Sequence, residues 1–374
     1  MVNQERNPLT AENILNSLAD GVYVTDVDRH IIFWNKAAEQ ITEWKSEEVV
    51  GRSCFDNILV HIDKDGNPLC GKEFCPLHRS ILSGEKSTYP LILFAQTKDG
   101  TRIPLQVSVS PIVNSNNEII GGVEIFRDLS RLMNDLDRAR IIQDSAMKPD
   151  LPPDSRVDIQ VHNVPQEYIG GDFYRVEALD TDHYAMIVAD VMGHGIAAAL
   201  YTMQLRSLWE DSRDKMAHPE IFMSHMNQGL SVLVGDNNYF ATAAYAWIDL
   251  KERKIHYAGA GHPYPFLFRA DGTIVKMEST GLPLGMLRHS TYTQREVDLL
   301  PGDSLLFYSD GAIEVFDPEE KMLGEEGFLE LVRAVGYPEI YSSLRPIQEM
   351  LLLYTRQIRL TDDLTLMSFR YQGK

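Results

Sequence analysis

Positive charge is scarce in this sequence: 35 Lys and Arg stand against 54 Asp and Glu, for a formal charge of -19. A surface so acidic repels nucleic-acid phosphates and anionic headgroups, which argues against nucleic-acid and membrane-surface partners. Cysteine is scarcer still, with three in 374 residues. The chain opens on MVNQERNPLTAENIL, which lacks the basic start and apolar centre of a signal peptide. An odd number of cysteines without such a signal predicts reduced thiols and excludes a disulfide framework. No apolar run approaches the ~20 residues that a membrane helix needs. The expectation is a cytoplasmic protein without membrane spans. Internal repeats and low-complexity tracts are also missing, and the length suffices for two ordinary domains.

What is present falls into three textures. From about Leu9 to Arg127 short strand-like runs (GVYVTD, HIIFWN, YPLILFAQ, IPLQVSVSPI, IIGGVEIFRD) surround a helical insert. Asp99-Gly100 and the segment from Asn114 separate such runs where hairpin turns are expected. From Leu129 to about Met147 the apolar residues Leu129, Leu132, Leu136, Ala139 and Ala146 recur at helical spacing among charges. That stripe predicts an amphipathic helix, either packed on its own domain or paired as a short coiled coil. Pro149, Pro152 and Pro153 end it. Beyond them β-rich runs enclose helical stretches at Ile196 to Met216 and Pro219 to Val234, with two more between Glu325 and Arg359. The expected fold class is α+β, with domains at 1–127 and 151–374 joined by a helical linker at 128–150.

Four acidic positions in the second half share one local logic. Asp172 lies in GGDFY, Asp190 ends the apolar run AMIVAD, Asp310 ends LLFYSD, and Asp362-Asp363 open DDLTLMSF. Each is expected at the end of a hydrophobic strand, where a buried carboxylate needs a partner for its charge. Hard carboxylate oxygens suit Mg²⁺ or Mn²⁺, and glycines beside them let a phosphate approach. A pair of such ions can activate water and neutralise phosphoryl oxygens, so a phosphoenzyme is not required. Taken singly, an Asp-Gly after a strand is only a turn.

In combination the segments say more. GGDFY, ADVMGHG, AGAGHPYP, FYSDG and TDDLTL, in this order, resemble the bacterial branch of the type 2C metal-dependent serine/threonine phosphatases, which includes sporulation and general-stress regulators. The resemblance covers residues 154 to 371 and implies an α/β sandwich holding two Mn²⁺ or Mg²⁺ ions. It implies metal-ligating roles for Asp172, Asp190 and Asp310, for the backbone carbonyl of Val191, and for Asp362, with Asp363 as the alternative. It also places His194 near a histidine that protonates the leaving serine oxygen, whereas His262 reads as support for a turn. Many relatives follow GGDFY with a second aspartate where this chain has Arg175. GGDF is similar to the GGDEF hairpin of diguanylate cyclases too, but Phe173 follows Asp172 directly and the second acid is missing.

The first half resembles a PAS sensory domain through GVYVTDVDRHIIFWNKAAEQ, the EEVVGRS connection and the closing GVEIFRDLS. PAS folds take varied ligands, so the resemblance leaves the signal unnamed. Cys54 stands where flavin-binding relatives keep a reactive cysteine, yet their accompanying polar residues are absent. All three cysteines, Cys54, Cys70 and Cys75, fall in one stretch with His61 and His78, and Cys70-GKEF-Cys75-PL-His78 has spacing compatible with a sensory metal. Packing and surface thiols are the competing reading. The combined expectation is a homodimer, paired through the PAS domain and linker, whose phosphatase acts on a phosphorylated protein, by resemblance an anti-sigma-factor antagonist. The competing expectation is a non-catalytic interaction module in which the aspartates are structural.

Overall fold

The computed structural model describes residues 10–63, 66–71, 74–87, 90–149, 151–193, 195–234, 239–339 and 343–373. The chain divides into two compact units, Met1–Asp135 and Leu136–Lys374.

In the first unit α1 (Ala11–Asn16) precedes β1 (Gly21–Asp26) and β2 (Ile31–Trp34). Three short helices follow, α2 (Lys36–Thr42), α3 (Ser46–Val49) and α4 (Pro76–Ser83), and then β3 (Leu91–Gln96), β4 (Arg102–Val113) and β5 (Ile119–Asp128). The five strands form one antiparallel sheet in the order β2-β1-β5-β4-β3. Alternation decides which face is covered: Ile103, Leu105, Val107 and Val109 of β4 are buried while their neighbours are not. Buried Asn35 organises the unit's start. Its Oδ1 accepts the backbone N–H of Ala38, capping α2, and that of Val22 on β1, and its amide donates to the carbonyls of Leu15 and Asp20. Both expected hairpins form, with Thr97 N–H bonded to Thr101 O and Asn114 N–H bonded to Glu118 O across the turns.

The helix α5 (Ser130–Met147) matches the predicted amphipathic stretch, and Leu129 just before it is buried. Leu132, Ile141 and Ile142 are exposed on it, whereas Gln143 and Met147 are buried.

The second unit continues with β6 (Val157–Val164), β7 (Asp172–Ala178), β8 (His183–Val191), α6 (Ile196–Asp211) and α7 (Pro219–Val234). Then come β9 (Ala241–Asp249), β10 (Lys254–Ala260), β11 (Phe266–Phe268), β12 (Ile274–Lys276), β13 (Arg295–Asp298), β14 (Ser304–Tyr308), α8 (Gly324–Ala334), α9 (Arg345–Thr355) and β15 (Leu364–Tyr371). Two antiparallel sheets result, β13-β10-β9-β8-β7 and β12-β11-β14-β15-β6. They pack on each other through residues such as Tyr184 and Phe369, whose rings meet edge-on at 5.4 Å. On the outer face of the first sheet lie α6 and α7, anchored by Trp209, Phe222 and Met226. Outside the second lie α8 and α9, anchored by Phe328, Leu331, Ile347 and Leu351. The result is a helix/sheet/sheet/helix sandwich in which the central strands β8 and β14 are buried on both faces, which explains the uninterrupted apolar runs AMIVA and LLFY.

Candidate metal centre

The predicted acidic positions lie at one end of this sandwich. Asp172 is the first residue of β7, and Asp190 is the last but one of β8. They face each other as partners across the antiparallel pair. Asp310 follows β14 and opens a single 3₁₀ turn, Asp310–Ala312, while Asp362 and Asp363 directly precede β15. The sequence reading put all of them at strand ends; Asp172 and the Asp362-Asp363 pair stand at strand starts instead. Antiparallel pairing is the reason, since one edge of such a sheet collects the end of one strand and the start of the next.

Close backbone approach fixes the edge. A Cβ on Gly311 would stand 2.1 Å from the carbonyl oxygen of Asp363, and one on Gly171 would stand 3.1 to 3.2 Å from Ala198 Cβ and Gly193 O. Only glycine lets the Asp310 turn lie against Asp363, and at Gly171 a side chain would crowd the Asp172 segment against the start of α6.

The carboxylates differ in their attachments. Asp172 is buried; Thr365 Oγ1 donates to its Oδ2 at 2.6 Å, while its Oδ1 has no hydrogen-bond partner. Asp363 is also buried, but both its oxygens are taken: Oδ1 accepts the backbone N–H of Gln166 and Oδ2 that of Gly171. This makes Asp363 a clamp on the loop before β7. Asp362 is exposed, with Oδ1 accepting the backbone N–H of Asp363 at 2.8 Å.

Crowding of like charge marks the site electrostatically. Burial, followed by the Asp310, Asp362, Asp363 and Glu314 carboxylates, pushes Asp190 up to about 8. Burial, then Asp362 and Glu314, pushes Asp310 up to about 6. Asp172 is raised well above the carboxylate range, by burial first and Asp190 second. Such a group of desolvated carboxylates is costly without cations to share. The orphaned Asp172 oxygen and the all-oxygen donor set fit hard divalent ions. Among the described residues, the only three donor groups mutually within 4.8 Å are Asp26, Asp28 and His30, in the exposed turn after β1. The five acidic groups of the centre are spread more widely, as suits ions that keep several waters.

Two features escaped the sequence reading. Glu314, whose N–H bonds to the Asp310 carbonyl, adds a further carboxylate to the field at Asp190 and Asp310. Its position four residues after Asp310, the separation of one helical turn, was the available signal. The other is a brace between the sheets. His262 is buried, with Nδ1 2.8 Å from Thr242 Oγ1 and Nε2 3.0 Å from the Tyr308 carbonyl. The carbonyl can only accept, so Nε2 carries the proton and Nδ1 accepts from the threonine. Thr242 pairs with Asp190 across β8 and β9, and Tyr308 lies two residues before Asp310, so His262 braces the aspartate-bearing ends of both sheets. Burial holds it down to about 4, neutral at physiological pH. His194 lies outside the described residues. Val191 lies beside the centre, its N–H bonded to Gly171 O.

Arg175 also has a visible task. Its guanidinium donates to the Lys148 carbonyl at 3.0 Å, holding the C-terminal end of α5 together with Arg206, which donates to the Ala146 carbonyl. Gln143 of α5 donates to Gly170 O and Thr202 Oγ1, both at 2.9 Å, and accepts from Gly170 N–H. The helix is thus pinned to the backbone two residues before Asp172.

The fold is that of a PP2C-type domain. The solved SiaA-PP2C domain of Pseudomonas aeruginosa has the same fold, with a TM-score of 0.56 and 22% identity, covering 64% of this chain and 97% of that one. The sequence profile of Stage II sporulation protein E (SpoIIE) matches residues 180–372, more than half of the chain, and the chain belongs to that family. Residues 19–131 match a PAS domain. Similar proteins include phosphoserine phosphatase RsbP of Bacillus subtilis, 30% identical over 48% of this chain and 45% of that protein. Phosphoserine phosphatase RsbU of the same organism is 27% identical over 64% of this chain and 70% of that protein. Protein IcfG of Synechocystis is 25% identical over 56% of this chain. The chain spans 37% and 45% of the lengths of IcfG and RsbP.

Proposed function

We propose that this chain is a metal-dependent phosphoserine/phosphothreonine protein phosphatase whose activity is set by its PAS domain. The observation that carries the reading is the meeting of Asp172, Asp190, Asp310 and Asp362 from two sheets, with one buried Asp172 oxygen left unpartnered. The names of RsbP and RsbU as phosphoserine phosphatases support it.

Asp172, Asp190, Asp310, Asp362 and the Val191 carbonyl would hold two Mn²⁺ or Mg²⁺ ions. When bound, these supply polarisation of the phosphoryl group and activation of water. The chain's own residues do the positioning. Thr365 fixes the rotamer of Asp172, Asp363 holds the preceding loop, and His262 sets the spacing of Asp190 and Asp310. His194 is assigned the proton that the leaving serine oxygen needs. The substrate is a phosphorylated partner protein, by family resemblance an anti-sigma-factor antagonist.

For regulation, residues 1–127 act as sensor, 128–150 as linker and 151–374 as phosphatase, and two copies pair through the sensor and linker. The exposed Leu132, Ile141 and Ile142 supply apolar surface for that pairing. Gln143 supplies the route inward, because movement of α5 pulls on Gly170 and hence on Asp172. The test is turnover of a phosphoserine protein by the full chain with Mn²⁺. Chelator-sensitive release of phosphate is expected; a chain that binds the phosphoprotein without releasing phosphate would support the non-catalytic alternative.

A further inference from the structure

The PAS unit buries a second set of donor atoms, remote in sequence from the phosphatase centre. Glu124 on β5 is 1% exposed and His61 is 3% exposed. Tyr23 Oη of β1 donates to Glu124 Oε2 at 2.9 Å. Glu124 Oε1 and His61 Nε2 face each other at 3.6 Å, and neither has a hydrogen-bond partner. Two unsatisfied polar atoms in one core are expensive unless something else is meant to meet them.

Three thiols lie in the same region: Cys54 and Cys75 are buried in the core of this unit, Cys70 Sγ touches the His61 backbone, and all three are within electrostatic reach of Glu124. One of the sulfurs is placed as an acceptor: Cys70 Sγ accepts the backbone N–H of His61 at 3.1 Å, while Cys75, at the cap of α4, makes no side-chain cap bond. Burial pushes all three thiols up and keeps them protonated in the absence of a cation, so a metal ion would displace their protons as it binds. Arg29 and Arg102 lie close enough to the set to offset part of its negative charge.

We propose that this cluster binds one thiophilic divalent cation of the zinc type, held by the sulfurs of Cys54, Cys70 and Cys75 and by His61 Nε2, with Glu124 beside it. Soft sulfur ligands with one imidazole are the donors such ions select. The placement of His61 revises the expectation from spacing, which favoured His78. The four donors stand farther apart than one ion's shell, so binding draws them together. Contraction moves Glu124, and with it β5, the strand that leads into α5. The PAS signal would then be occupancy of this site.

Co²⁺ is the probe, because thiolate-bound cobalt has a near-ultraviolet charge-transfer band that carboxylate-bound cobalt lacks. Full-length, reduced, metal-stripped protein is titrated with Co²⁺ and then with Zn²⁺. The expected result is a band that saturates at one ion per chain and is bleached by Zn²⁺. It is lost in Cys70→Ser and Cys75→Ser but retained in Asp190→Asn, which alters only the phosphatase centre. Should the cysteine variants fail to fold, thiol reactivity of the unaltered chain decides: Zn²⁺ should protect three thiols and a chelator should release them. No charge-transfer band, together with thiols that react equally fast with and without Zn²⁺, would overturn the proposal.

Discussion

Replacing His262 with glutamine tests the brace between the sheets. The side chain is wholly buried and held neutral, its value brought from 6.5 down to about 4 by loss of solvent. An unfolded chain takes up a proton as the pH falls below 6.5, whereas the folded chain refuses it until about pH 4. The folded-state value is the lower one, so stability from this group is complete above pH 6.5 and is lost progressively as the pH falls to 4. The difference corresponds to about 3 kcal/mol. His262→Gln keeps a donor for Tyr308 O and an acceptor for Thr242 but cannot titrate. Its cost at neutral pH should be about 1 kcal/mol, one imperfect buried bond. Urea unfolding of both proteins in chelator, from pH 7.5 to pH 4, measures the gap between them, and groups common to both cancel. The gap should shrink by about 3 kcal/mol, leaving the variant the more stable protein at pH 4. A gap independent of pH would refute the claim that a buried neutral imidazole joins the sheets.

Three further outcomes follow from the geometry. Asp190→Asn should stabilise the metal-free protein above pH 8 by ~1–3 kcal/mol, because a raised carboxylate costs stability once it ionises, with the full shift discounted for partial exposure; the same variant should lose stabilisation by Mn²⁺, read from melting curves. Gln143→Leu should strand Gly170 and Thr202 at a cost of about 1–3 kcal/mol, and phosphatase assays on the full chain should show altered basal turnover and a weakened response to the sensor. Charged residues at Leu132 and Leu136 should shift the full chain toward monomer in sedimentation while the isotherm for Mn²⁺ stays unchanged.

Much of the centre was legible because its residues announce themselves locally. An aspartate after AMIVA or LLFY is odd enough to read, since burying a carboxylate on a strand requires a compensating partner. Long strands and helices were legible for the same reason of period, and α5 was located to within a residue of its start. What the sequence hid was the contribution of distance in space. Thr365, Gln143 and His262 look like ordinary polar residues until β15, α5 and the turn after β10 bring them to the aspartates of the centre. The short strands β11, β12 and β13, of three or four residues, offer too few side chains for an alternating pattern. The backbone N–H groups of Gln166 and Gly171, which occupy both oxygens of Asp363, were hidden in the same way.

The most direct test of the phosphatase account is phosphate release from p-nitrophenyl phosphate and from a phosphoserine protein, measured with Mn²⁺ for the unaltered chain, Asp190→Asn and Asp310→Asn. The account predicts turnover in the unaltered chain that a chelator abolishes and Mn²⁺ restores, with both variants folded but inactive. Undiminished, chelator-resistant turnover in the two variants would contradict it.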